Sequence, residues 1–198
     1  MRSKEVSYCM KKYKTNDLGF SLVELIIVVA IMSLFLGMTG YGLSLSSGKP
    51  AEECARKLAA CIQHGRTTTM GKYRNIITIS KESGSGQIVV REKVTINIED
   101  DGAGNLTERT SDRSSTVGSK GVKIEYSTDG GSSYTELTEG NSITLRFDSG
   151  SGALKKTALG DTAYYTTFKI SKANKEKYVM IETLTGRVTV SDTAPTTP

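Results

Sequence analysis

The order of apolar and polar residues divides the chain into three parts. Residues 1–19 are polar and basic, residues 20–45 form an almost unbroken apolar run, and the remainder alternates short apolar and polar stretches. The run from Phe20 to Tyr41 has 22 residues. As a helix it extends about 33 Å, enough to cover the ~30 Å hydrocarbon core of a bilayer. The pattern therefore predicts a transmembrane helix segment over residues 20–45.

A single charge, Glu24, lies inside this run, in the stretch "NDLGFSLVELIIVV". A charged side chain at the centre of a bilayer costs on the order of 2.5–3.5 kcal/mol on insertion scales. Because ionisable residues within membrane segments usually serve a function, Glu24 is a candidate functional residue.

Residues 50–70 have the spacing of an amphipathic helix. Cys54, Leu58, Cys61, Ile62 and Gly65 fall at positions i, i+4, i+7, i+8 and i+11, which places them on one face. We expect that face to pack against the rest of the domain.

After Gly71 the pattern changes to short segments rich in Val, Ile, Thr and Tyr, many separated by glycine-rich turns. Such segments are typical of an antiparallel sheet or sandwich, predicted here over residues 71–190. Residues 99–120 are predicted to be a long, mobile polar connection, and residues 191–198 a flexible tail. The predicted strands are "RNIITIS", "QIVVR", "KVTINI", "VKIEYS", "SITLRFD", "YYTTFKI", "KYVMIET" and "RVTV".

The distribution of charge predicts the orientation of the membrane segment. The formal net charge is +5, and residues 1–19 contain five Lys and Arg against two acidic residues. Basic residues before a span keep that end in the cytoplasm. The basic balance is thus a topology signal and not the footprint of a nucleic-acid-binding domain.

Three interpretations of the N-terminus follow from the pattern alone. It is a secretory signal cut after the apolar run, for which "SLS" at Ser44–Ser46 offers a small-x-small site; a plain uncleaved anchor; or a signal cut before the apolar run. The third would leave the span attached to the outward-facing domain, whereas the first would release it.

The stretch "GFSLVEL" resembles the type IV prepilin signature and favours the third interpretation. That signature has a glycine before the cut, an aromatic or aliphatic residue after it, and a glutamate as the fifth residue; these are Gly19, Phe20 and Glu24. The resemblance implies that a prepilin peptidase cuts between Gly19 and Phe20 and N-methylates Phe20. It also implies that Glu24 takes part in subunit assembly by neutralising the new amino group.

Downstream stretches resemble the GspH/FimT-type pilins. These are "AEECARKLAACIQHGRTTTMGKYRNIITIS", a helix leading through an Arg-containing turn into a strand, and the late "ITLRFDSGSG" and "MIETLTGRVTV". The resemblance implies an α+β type IV pilin fold: a long N-terminal helix, its first half transmembrane, packed by its second half on an antiparallel β domain. Residues 1–19 would be a leader that is removed.

Cysteine and histidine positions give no catalytic or metal site. Cys54 and Cys61 are seven residues apart. In a helix that is roughly 10 Å, beyond the ~7 Å limit for a disulfide, so both are predicted to be small core residues. Cys9 lies in the leader, and His64, the only histidine, is predicted to be structural. No enzyme activity and no cofactor are expected.

Three further patterns receive structural interpretations. "STDGGSSY" (Ser127 to Tyr134) resembles the Asp-box, a hairpin brace. "EDDGAGN" (Glu99 to Asn105) lacks the ligand order of a calcium loop. The late lysines could alternatively form a DNA-binding patch. The small positive net charge of the chain after residue 19 argues against this, so nucleic acid is not an expected partner. These lysines are Lys155, Lys156, Lys169, Lys172, Lys175 and Lys177.

The sequence is thus interpreted as a minor pilin or pseudopilin of a type IV pilus or type II secretion filament. Expected partners are the prepilin peptidase/methyltransferase, other pilins, the inner-membrane assembly platform and membrane lipid. The chain would cross the cytoplasmic membrane once, leader inside, and then enter a cell-surface or periplasmic filament. The alternatives are a membrane-anchored adhesin or DNA-binding subunit, and a secreted enzyme cut after the apolar run.

Overall fold

The computed structural model describes residues 21–46, 49–71, 73–100 and 106–195. The chain divides into two units, Met1–Leu43 and Ser44–Pro198. Helix α1 has the bounds Leu22–Ser46, and all but its last three residues belong to the first unit. Within the described residues, no helix has the combination of length and apolarity needed to cross a membrane.

Helix α2, Lys49–Met70, corresponds to the predicted amphipathic helix. Its buried residues recur at helical spacing, and its solvent side carries two i,i+4 ion pairs, Arg56–Glu52 at 2.6 Å and Lys57–Glu53 at 2.7 Å. Such pairs add only tenths of a kcal/mol, roughly 0.2–0.5 each. Burial of the apolar face therefore stabilises this helix more than its ion pairs do. Its buried residues are Ala51, Cys54, Ala55, Leu58, Ile62, Gly65 and Thr69.

The second unit contains two antiparallel sheets, which confirms the predicted α+β class. The first sheet has the order β3-β2-β1-β6 and the second the order β5-β4-β7-β8-β9. The strands are β1 Arg74–Lys81, β2 Ile88–Asp100, β3 Leu106–Gly118, β4 Lys123–Ser127, β5 Thr135–Glu136, β6 Ser142–Arg146, β7 Thr167–Lys172, β8 Lys175–Ile181 and β9 Val188–Ser191.

Helix α2 contacts strands of both sheets and closes their shared core. Along β1 the residues alternate, so that Ile77 and Ile79 are fully buried while Ile76 and Thr78 are only half-buried. Burying one such side chain is worth about 1.5–3 kcal/mol. The core residues are Ala51, Cys54, Ala55, Leu58, Ile62, Ile77, Ile79, Ile88, Val90, Val117, Val122, Ile124, Leu137, Ile143, Leu145, Phe147, Leu154, Phe168, Ile170, Val179 and Ile181.

The prediction of a mobile connection over residues 99–120 is wrong. Most of that stretch is strand β3, which pairs with β2 from Leu106 opposite Asp100 to Gly118 opposite Ile88. As an edge strand, β3 bonds to a neighbour on one side only and exposes most of its side chains. Charged and hydroxyl residues suit such an edge because they discourage pairing with other chains, so β3 lacks the apolar pattern that signals a strand.

The two predicted strands "QIVVR" and "KVTINI" are one strand, β2. A register shift lies between Thr95 and Asn97. A bulge of this kind bends a strand without ending it, which the residue pattern alone did not reveal.

Candidate functional site

The first turn of α1 holds Glu24, the residue that the sequence marks for subunit assembly. Ser21 precedes the helix, and its Oγ accepts hydrogen bonds from the backbone N–H groups of Val23 at 3.2 Å and Glu24 at 3.4 Å. In return, the backbone N–H of Ser21 donates to Glu24 Oε2 at 3.1 Å. This is a capping box, in which two otherwise unpaired donors at a helix start are satisfied reciprocally.

The capping box fixes a negative charge at the positive end of the α1 dipole, a favourable arrangement worth about 0.3–1 kcal/mol. Glu24 therefore has a role within its own helix as well as the predicted role between subunits. Gly19 and Phe20, the predicted cleavage and methylation residues, lie outside the described residues.

The first part of α1 exposes large apolar side chains in unusual number. Ten of them between Leu22 and Leu34 are 48–75% exposed. They occupy every position of this stretch except 24, 30 and 33, so they cover all sides of the helix and not a single stripe. A helix that is apolar all round is normally buried in a large core or in lipid, and exposed apolar surface of this extent marks an interaction site.

A second candidate, around His64, is a buried acid paired with a surface histidine. His64 Nδ1 lies 2.9 Å from Glu92 Oε2, and the Glu92 side chain is only 5% exposed. The pair joins α2 to β2, which agrees with a structural role for His64. Sequence reasoning missed Glu92, because only the fold buries that residue.

Neither of the two described cysteines, Cys54 and Cys61, is an activated nucleophile. Burial raises the pKa of the Cys54 thiol to about 12. Burial, and secondly the nearby Glu92 carboxylate, raises the pKa of the Cys61 thiol. Reactive cysteines need the opposite shift. Both thiols are free, Cys54 is a core residue as predicted, and Cys61 is half-buried. No group of three or more potential metal-ligating side chains occurs among the described residues.

Arg66 brings together the three stretches that carry the downstream resemblance. Its Nε donates to the carbonyl oxygens of Thr185 at 2.9 Å and Gly152 at 3.3 Å. Gly152 belongs to the "DSGSG" turn and Gly186 to the "TGR" turn. Both have positive φ, and a Cβ at either position would press against Arg66. The sequence listed these stretches separately and did not indicate that they meet.

The "STDGGSSY" segment forms the predicted hairpin brace, between β4 and β5. Asp129 Oδ1 accepts hydrogen bonds from Ser127 Oγ at 2.6 Å and from the backbone N–H groups of Ser132 and Ser133 at 3.0 Å each, while Ser133 Oγ donates to Oδ2 at 2.5 Å. These bonds hold the pKa of Asp129 far below its usual range. Of "EDDGAGN", residues 101–105 lie outside the described residues.

Several of the late lysines have local partners. Lys169 pairs with Glu176 at 2.9 Å, Lys155 with Asp148 at 3.4 Å, and Lys177 with Asp192. Lys172 donates to a backbone carbonyl oxygen, that of Lys120, at 3.2 Å. Carboxylates thus pair with three of the six late lysines.

The comparison with known proteins found a match in the N-terminal segment. A family model described as "Prokaryotic N-terminal methylation motif" matches residues 14–40. Neither a curated protein nor a solved structure matches the chain significantly. Because the family match ends at residue 40, it contains Gly19, Phe20 and Glu24 but none of the β domain. The N-terminal segment of this protein is therefore a type IV pilin-like signal.

Proposed function

We propose that this chain is a minor pilin or pseudopilin of the GspH/FimT type, a structural subunit of a type IV pilus or a type II secretion pseudopilus. The methylation motif over residues 14–40 is the single observation that carries the proposal. The prepilin-type signal implies processing by a prepilin peptidase, followed by assembly with other pilins.

In this proposal the chemistry at the N-terminus is done to the protein and not by it. The peptidase cuts the Gly19–Phe20 bond on the cytoplasmic side and methylates the amine of Phe20. The five basic residues before the cut keep the leader inside. The apolar run stays in the cytoplasmic membrane, in contact with lipid and the assembly platform, until the subunit enters a cell-surface or periplasmic filament.

The capping box gives Glu24 a defined place in that assembly. Its carboxylate is held at the backbone N–H of Ser21, the residue that follows Phe20. An α-amine with a pKa near 7.7–8.0 is largely charged at neutral pH. In a low-dielectric filament core, an amine paired with Glu24 costs far less than either charge alone. The amine can belong to the same chain or to its neighbour.

Substitutions of Glu24 separate the charge from the cap. Glu24→Gln keeps a capping box, since glutamine also serves at that position, but removes the charge. Glu24→Ala removes both. We expect normal cleavage of both variants and lowered filament incorporation of both, read out by immunoblotting of sheared filaments against cell-associated protein.

Ser21→Ala is the matched control, because it weakens the cap and keeps the charge; we expect it to assemble nearly as well as the wild type. Normal incorporation of Glu24→Gln would show that the charge pairing is wrong and that capping suffices. Normal incorporation of Glu24→Ala would eliminate both roles.

Processing itself is tested by intact mass. A mature chain that begins at N-methylated Phe20 is the expected result. A chain that begins near Ser47 would instead establish cleavage after the apolar run and would overturn the proposed function.

A further inference from the structure

The first sheet has a face that the rest of the described chain does not bury. Its other side packs on α2 and holds Ile77, Ile79 and Leu145 in the core. We call the side opposite α2 the outer face. Apart from the buried Val89, the side chains on it are half-buried or exposed. They are Arg74, Ile76, Thr78, Ser80, Arg91, Lys93, Thr95, Thr110, Asp112, Ser114, Thr116, Ser142, Thr144 and Arg146.

The strand register collects four basic residues on the outer face. Arg146 and Lys93 lie on either side of Ile76 in one row, and Arg91 lies opposite Thr78 in the next. Arg74 is two residues before Ile76 and so shares its face. Neighbouring strands are about 4.7–4.9 Å apart, so these cations lie close enough to repel one another.

Three of the four cations lack a partner. Within the described chain, the side chains of Arg91, Lys93 and Arg146 make no hydrogen bond or ion pair, although Asp112 stands opposite Lys93 in the register. Arg74 makes only a long pair with Glu108, at 3.8 Å. This differs from Lys155, Lys169 and Lys177, each of which pairs with a carboxylate.

One end of the outer face deepens into a cleft of about 660 Å³. Its lining includes three basic residues, Arg74, Arg146 and Lys155, and also Tyr73; Glu108 is the one acidic residue that the described part of the chain contributes to it. The cleft is large enough for an acidic side chain, and its guanidinium groups match a carboxylate through paired N–H donors.

We propose that the outer face docks an acidic polypeptide surface of another filament subunit, with one carboxylate of that partner in the cleft. This rests on the proposed function for the existence of such a partner. Charge complementarity selects an acidic occupant. A protein is favoured over nucleic acid because the face carries Asp112 and Glu108, which repel phosphates.

Binding of defined polymers tests the chemistry. Purified full-length chain in detergent micelles is titrated with poly-L-glutamate, poly-L-lysine and duplex DNA at equal charge concentration. We expect poly-L-glutamate to bind, poly-L-lysine not to bind, and binding to weaken as salt rises. The variant Arg91→Glu/Lys93→Glu should bind poly-L-glutamate about tenfold more weakly or worse.

The matched control is Lys120→Glu/Lys175→Glu, which changes the net charge equally at exposed positions away from the outer face. It should bind like the wild type. An equal loss in this control, no binding of poly-L-glutamate, or tighter binding of DNA than of poly-L-glutamate would each overturn the proposal. If the charge-reversal variant does not fold, Arg91→Gln/Lys93→Gln takes its place.

Incorporation in cells separates this proposal from the proposed function. Arg91→Glu/Lys93→Glu should be cut at Gly19–Phe20 normally, by intact mass, yet enter filaments less than the control variant does. Normal processing with normal incorporation overturns docking at the outer face alone. A wild-type chain that is not cut there overturns the proposed function, whatever the polymer titrations show.

Discussion

Two glutamates show how the surroundings of a residue decide its role. Glu24 is exposed and accepts a hydrogen bond from the backbone at the start of its own helix. Glu92 is buried between α2 and β2 and accepts one side-chain hydrogen bond, from His64. A buried carboxylate depends on its partner far more than an exposed one does, so His64 matters through the group it satisfies.

Removal of His64 should destabilise the β domain. In His64→Ala, Glu92 keeps its burial and loses its partner, an expected cost of about 1–3 kcal/mol. The double variant His64→Ala/Glu92→Leu should recover most of that loss, because no buried polar group is left unpaired. Chemical denaturation of the two variants measures both effects.

The exposed neighbour Gln63 supplies the control for this cycle, and Gln63→Ala should change the unfolding free energy little. If His64→Ala were as stable as the wild type, the Glu92 carboxylate would have another hydrogen-bond partner or water. The hydrogen bond between His64 and Glu92 would then contribute nothing to the free energy of unfolding.

At the scale of elements, short segments are held by different forces. Helix α1 starts at a capping box, α2 is held by its buried face, and the hairpin after β4 is held by hydrogen bonds to Asp129. A second turn uses the same device: backbone and hydroxyl hydrogen bonds from Ser151, then the backbone N–H of Gly150, lower the pKa of Asp148 to about 2. Both carboxylates must be ionised to accept these bonds.

These two turns predict acid sensitivity. An unfolded Asp titrates near a pKa of about 3.9, and both folded pKa values are lower. Their contribution to stability is thus fully present above about pH 4 and is lost as the pH falls through the folded values. The unfolding temperature should therefore decrease as the pH falls from about 4 to about 2, measured by circular dichroism.

Asp129→Asn should flatten that decrease, because the amide does not titrate and is already a poorer acceptor at neutral pH. Asp161→Asn is the control: Asp161 is exposed and its side chain makes no hydrogen bond or ion pair within the described chain. A pH profile of Asp129→Asn parallel to that of the wild type would contradict the prediction.

At the scale of the second unit, Arg66 links α2 to the turn after β6 of the first sheet and to the β8–β9 turn of the second. The partners of Arg66 are 86 and 119 residues away in the sequence. The junction is tight, because a Cβ on Gly186 would overlap the carbonyl oxygen of Gly152.

Gly186→Ala should therefore be much more destabilising than alanine at an open glycine. Its φ of 65° alone costs about 1–2 kcal/mol for a residue with a Cβ, and the clash with Gly152 adds to that. Gly84→Ala is the matched control: φ is 85° and nothing lies within 4 Å of the added Cβ. Equal unfolding free energies of the two variants would mean that the junction adapts without cost.

Local residue patterns predicted the structural elements that depend on residues close together in the sequence. The spacing of Leu58 and Ile62 indicated the face of α2, and alternation around Ile77 and Ile79 indicated β1. The pattern S-x-x-E at Ser21–Glu24 contains the capping box, although Ser21 was not singled out. Strand β3 could not be predicted in this way, because an exposed edge strand needs a neighbour but no apolar residues.

The sequence by itself determined the pilin-like signal and most of the helical and β regions, and it marked Glu24 as the candidate functional residue of the N-terminus. These depend on residues within a few positions of one another, which obey local geometry. Only the tertiary structure decided that Glu92 is buried, that Arg66 meets two distant turns, and that four cations share the outer face. Each of those depends on strand register and packing between segments far apart in the chain, which no local spacing encodes.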